Sequence, residues 1–129
     1  MPMQVELVSP ERILFSGEAD MVICRTVGGG DIAFLSGHAP LLGALAIWPA
    51  RIKQTDGTEE IAAVHGGFVH VRDDTVIILS DVAELASQID VERARRAKEA
   101  AESKVREVDD AEAQAALQRA VVRIDVAGG

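Results

Sequence analysis

Arg119 and Arg123 stand four residues apart in QRAVVR, and Arg93 and Arg96 stand three apart in ERARRA. On a helix either spacing puts both guanidinium groups on one side, where like charges repel unless something negative lies opposite. A pair of guanidinium forks is also well suited to phosphate oxygens. The residues therefore read in two ways. They form a phosphate clamp, or they are neutralised by Glu92, Glu99 or Glu102 of a facing helix or simply solvated.

Little else in the chain could do chemistry. GGGDIA, Gly28 to Ala33, fits G-x-G-x-x-A, but a dinucleotide fingerprint must open a helix, and the following AFLSGHAP is too short and interrupted to be one. A glycine-rich connection between strands is expected instead. His38, His65 and His70 have no spacing that forces them to converge with acids on a metal. Ser16 and Ser36 have no identifiable base, and neither a G-x-S-x-G elbow nor a P-loop occurs. Cys24 is the only cysteine, which excludes an intrachain disulfide, and in the apolar run MVIC it reads as a packed thiol. Nothing supports turnover by this chain.

Charge and hydropathy narrow the partners. A net charge of −8 repels a phosphate backbone, so nucleic acid is not expected. No apolar run reaches the roughly 18 to 20 residues of a membrane-spanning helix. The opening MPMQVELVSPER lacks a basic region followed by an apolar block, which predicts a soluble, cytosolic chain.

The elements that must position these groups fall into two unlike halves. All the aromatics and prolines lie before residue 70, and the composition changes near Ala86–Gln88. Residues 1–87 read as strands: MQVELV, RILFSG, ADMVICRTV, DIAFL, LLGALAI, ARIKQ, EEIAAVH, GFVHV and TVIILS, separated by turn residues. That spacing predicts an antiparallel sandwich or barrel. Asp56-Gly57 is expected to make a hairpin turn with both residues at positive φ. Val5 and Leu7 alternate with Gln4 and Glu6, as a half-solvated sheet requires, whereas Val76 to Leu79 and Ile61 to Val64 are apolar on both faces. The second face of such strands is buried against a partner or under a loop.

Residues 88–129 read as two helices. Val91, Ala94, Ala97, Ala101, Val105 and Val108 recur at helical spacing, and so do Ala113, Ala116, Leu117, Ala120, Val121 and Ile124. Asp90 suits the N-cap of the first helix, and Asp109 with Glu112 resembles a capping box for the second. The short link predicts an antiparallel hairpin. Alanine favours helix but buries little surface, so the helices should persist while their docking stays marginal.

VSPERILFSG, GHAPLLGAL, GGFVHV followed by TVIILSDVAE, and IDVERA, in this order, resemble the epsilon subunit family of bacterial F-type ATP synthases. The resemblance covers essentially the whole chain. It implies an α+β fold, a sandwich of about ten strands followed by a two-helix hairpin, and an accessory rotor subunit with no catalytic residues. It implies that the sandwich docks on the gamma subunit and on the ring of membrane rotor subunits, with Asp31 to His38 in the region that meets the ring. Ala33 and Ser36 depart there from the usual glycine and proline. The family hairpin extends to reach the catalytic alpha and beta subunits and blocks hydrolysis. In some members the folded hairpin binds regulatory ATP, at positions that match Glu84, Ile89, Asp90, Arg93, Ala94, Arg119 and Arg123, while a further arginine of the pattern is Ala100 here. Membrane association, at the cytoplasmic face, would come only through the complex. The competing reading is a free-standing ATP-sensing module.

Overall fold

The computed structural model describes residues 2–128; Met1 and Gly129, the outer limits of the two expected halves, lie outside the described residues. The order is β1 (Met3–Val8), β2 (Ile13–Thr26), β3 (Gly30–Leu35), β4 (Leu41–Ala44), β5 (Ile47–Gln54), β6 (Glu59–His65), β7 (Phe68–Arg72), β8 (Thr75–Leu79), β9 (Ala83–Leu85), a 3-10 turn (Ala86–Gln88), α1 (Val91–Glu107) and α2 (Ala111–Gly128).

The 14-residue β2 organises the sandwich. RILFSG and ADMVICRTV, read separately in the sequence, form one strand through Gly17. Its first half pairs with β1, and its second half lies between β3 and β5, with the register shifting between Ala19 and Met21. One layer therefore runs β4-β7-β8-β1-β2, and the other runs β3-β2-β5-β6-β9. Among the described residues nine strands occupy ten positions, because β2 serves both layers. All pairings are antiparallel except β1 with β8. The chain crosses from one layer to the other at Gly66–Gly67, both at positive φ, and a Cβ on Gly67 would collide with the Leu79 carbonyl oxygen. The interior is filled by Met3, Val5, Leu7, Val22, Phe34, Ile52, Val64, Val69, Val71, Val76 and Ile78, all buried.

Three local expectations are corrected. In the β5–β6 hairpin only Gly57 takes positive φ; Asp56 instead accepts from the backbone N–H and hydroxyl of Thr58. β9 was absent from the predicted strands, because AEL is too short to show a period. The N-cap of α2 is Asp110, which accepts from Ala113 N at 2.8 Å, while Asp109 accepts from the Gln114 side chain. Asp90 caps α1 as expected, accepting from Arg93 N at 3.1 Å.

The helices form a hairpin, α1 packing along α2 and α2 lying across β5 and β6. The periodic stripe of α2 holds Ala113, Leu117 and Ala120, but Val122 and Val126, on its opposite side, are also buried. They meet Ala63 in a small cluster bordered by Ile47, Ile61, Ala86 and Ile89, separate from the main core. Thus α2 is apolar on two sides, and a single helical stripe does not describe it.

Candidate functional site

Where the hairpin meets the sandwich edge, Glu84 of β9, Gln88, Asp90, Arg93, Ala94 and Ala97 of the entry to α1, and Arg123 of α2 line a cavity of about 220 Å³. Five of the seven residues matched to the ATP pattern are thus brought together: Glu84, Asp90, Arg93, Ala94 and Arg123. Ile89 instead borders the small apolar cluster, and Arg119 points elsewhere, its guanidinium 3.0 Å from Glu112 of its own helix. Gln88 and Ala97, not singled out by the sequence, complete the wall.

The charge balance differs from the expected one. Arg123 Nε lies 2.5 Å from Glu84 Oε1, and both side chains are only about a quarter exposed. The partners are therefore Glu84 of the sandwich and Glu112 of α2, not the acids of α1. Arg93 has no ion pair among the described residues. A charge-assisted pair bridging β9 and α2 fastens the hairpin to the body by its edge. A cavity this size falls below the roughly 300–1,000 Å³ of sites that engulf a small molecule.

Behind this pair sits His65, whose side chain is 2% exposed. Among the described residues neither ring nitrogen has a hydrogen-bond partner, and Nε2 stands 3.6 Å from Glu84 Oε1, beyond hydrogen-bond reach. Burial, and then the positive charge of Arg123, hold its pKa down at about 4 against the opposing pull of Glu84. The ring is neutral at physiological pH. No spacing rule could have singled it out, because its neighbours come from β9 and α2.

The other expected site residues separate. Asp31 opens β3 and binds Arg25 Nε at 3.0 Å, with the Arg25 guanidinium stacked 3.6 Å over the Trp48 ring. His38 lies past the other end of β3, its ring edge-on to buried Phe34 and its Nδ1 2.7 Å from the Ala39 carbonyl oxygen. At about 3.4 Å per strand residue, the length of β3 lies between the two. Cys24 is buried as expected, and burial, then Asp31, push its thiol up to about 12, so no thiolate forms near neutrality.

The opposite layer carries a further feature. Leu42, Phe68, His70, Ile77 and Leu79 line a shallow hollow on its outer face, and Leu42 is 71% exposed. Cross-strand register puts them in one patch, Leu42 opposite His70, His70 opposite Ile77 and Phe68 opposite Leu79.

Comparison with known proteins places this geometry. Residues 2–86 match the family model described as ATP synthase, Delta/Epsilon chain, beta-sandwich domain, and residues 87–128 match that of the long alpha-helix domain. The ATP synthase epsilon chain of Streptomyces griseus is 49% identical over 122 residues, covering 95% of this chain and 92% of its own. That of Shouchella clausii is 46% identical over 126 residues, covering 96% and 93%. A chain in the Euglena gracilis mitochondrial ATP synthase structure (OSCP/F1/c-ring, rotational state 1) superimposes with a TM-score of 0.83 over 99% of this chain and 82% of that one; at 23% identity this speaks to the fold alone. A β-sandwich with an appended helical hairpin, matched along its length, defines the class: the chain belongs to the ATP synthase delta/epsilon chain family. Within it the chain is of the bacterial epsilon type, a non-catalytic subunit of an F-type ATP synthase.

Proposed function

We propose that this subunit joins the gamma shaft to the ring of membrane rotor subunits and restrains ATP hydrolysis with its C-terminal hairpin. The sandwich is the rigid body, the apolar patch around Leu42 and Phe68 meets gamma, and the loop at His38 meets the ring. The chain then reaches the membrane only through the complex, at its cytoplasmic face; no helix among the described residues is long and apolar enough to cross a membrane.

One observation carries the regulatory part. The hairpin is held to the body by a cluster with three fully buried side chains, Ala63, Val122 and Val126, and by the Glu84–Arg123 pair. Burying a valine contributes roughly 1.5–3 kcal/mol, so the docking is worth a few kcal/mol and can be exchanged for contacts along gamma and the catalytic alpha and beta subunits. Deleting residues 88–129 from the assembled enzyme should raise ATPase activity without blocking assembly. Unchanged hydrolysis would reject the inhibitory role.

A second reading, regulatory ATP at the hinge, is favoured by the cavity that gathers Asp90, Arg93 and Arg123. Phosphate would have to compete with Glu84 for Arg123, and Ala100 leaves one charge-assisted contact unmade, which weakens binding roughly ten- to a hundredfold. Titration calorimetry with ATP should give heat that disappears in an Arg119→Ala, Arg123→Ala variant. An absence of heat at millimolar ATP would remove the ligand.

A further inference from the structure

Asp73 and Asp74 form the two-residue turn between β7 and β8, with φ of 50° and 56°. Both central residues of such a turn sit in the left-handed region, where glycine fits best and a side chain carries a conformational cost. The two aspartates differ in what they do. The Asp73 carboxylate lies in solvent beside Arg72. The Asp74 carboxylate reaches back 37 residues and accepts from Gly37 N at 2.6 Å and from Ser36 Oγ at 3.3 Å, while its carbonyl oxygen accepts from Gln4 N at 2.9 Å.

The segment it holds is a β-turn closed by His38 N donating to the Leu35 carbonyl oxygen at 3.1 Å, with Gly37 at φ 85°. A turn with positive φ at its third residue commonly takes proline at its second, which presets the backbone. Here that second residue is Ser36, which presets nothing.

We infer that Asp74 is a positioning residue: its carboxylate, kept at a backbone position that favours glycine, replaces the missing proline and fixes the Leu35–Ala39 loop, with His38, for presentation to a partner. The inference rests on the reading of that loop as the ring contact.

The test pairs Asp74→Gly, which suits the backbone and removes the carboxylate, with Asp74→Gly, Ser36→Pro, which restores the preset turn by other means. Leu35 ends a strand, so its extended backbone accepts a following proline. In Asp74→Gly, exchange of the Gly37 amide should quicken about tenfold, the worth of a hydrogen bond to a charged group, with amides of β1 and β8 unchanged. Exchange of the His38 amide, which closes the turn, should also quicken, and protons pumped per ATP hydrolysed by the assembled enzyme should fall; in the double variant the Gly37 amide stays without its acceptor, but His38 protection and coupling should both recover. Unchanged Gly37 exchange, or faster exchange throughout the sandwich, overturns the positioning role. Faster Gly37 exchange with full coupling leaves the role standing and removes the ring contact.

Discussion

Two strands of this molecule carry the same written pattern and meet opposite fates. Ile61 to Val64 of β6 and Val76 to Leu79 of β8 are apolar on both faces. On β6, Ala62 and Val64 enter the main core, while Ala63 is buried beneath Val122 and Val126 of α2. On β8, Val76 and Ile78 enter the core, but Ile77 and Leu79 belong to the open patch with Leu42 and Phe68. One outer face is covered by the chain's own helix, and the other by nothing among the described residues. The covering side chains on the first face are few and mostly small, which suits a cover that leaves. The bare side chains on the second are large, which suits a surface for a permanent neighbour.

The comparison breaks most sharply at its covered side. Val122→Asp puts a carboxylate into the apolar cluster, at a cost of several kcal/mol if the hairpin stays down. The hairpin should therefore release while the sandwich keeps its thermal midpoint, and hydrolysis by the assembled enzyme should drop. Loss of the sandwich with the hairpin would show that the two are one unit.

On the bare side, Leu42→Ser, Phe68→Ser should leave the isolated fold within about 0.5 kcal/mol per site, as exposed substitutions do. Gamma capture should weaken by 2 kcal/mol or more, as on removing central apolar anchors. Full capture by the variant would leave the patch without its partner. A smaller effect is expected from Glu84→Gln, which leaves Arg123 without its counter-charge and weakens hairpin docking by about 1–3 kcal/mol, visible as faster exchange of α2 amides.

At neutral pH the smallest effect is that of His65, which emerges only in acid. His65 in the docked state stays neutral down to about pH 4, whereas a freed imidazole titrates near 6.5. Below pH 6.5 the released state takes up a proton that the docked state refuses. Docking is therefore at full strength above that pH and weakens by up to tenfold per pH unit toward 4. The acid and arginines around the ring are Glu84 of β9 and Arg119 and Arg123 of α2. A His65→Gln variant should flatten the profile, and an unchanged slope would assign it to another group.

Much of this architecture was legible in the sequence, because strand alternation, turn residues and helical spacing are local. The Asp90 cap and the buried Cys24 needed only neighbours along the chain. What was not legible depends on what lies across a gap. Gly17 looks like a break until β1 and its partners hold β2 straight through it. Val122 and Val126, four apart and opposite the main stripe of α2, were the sign of its second face, outvoted by the more regular alanine period. The candidate site was half legible: the resemblance supplied Glu84, Asp90, Arg93, Ala94 and Arg123, but the ion-pair partners and the burial of His65 follow from tertiary placement.

The most direct measurement is native-state amide exchange of the isolated protein, resolved by residue. Amides of α1 and α2 should exchange through a shared opening a few kcal/mol above the native state, well below the global opening that releases β1, β2, β8 and β6, whose amides stay bonded to β5 and β9 when the hairpin lifts. Exchange of helices and sandwich together, at one common free energy, would show that the hairpin is part of the body and contradict its role as a removable cover.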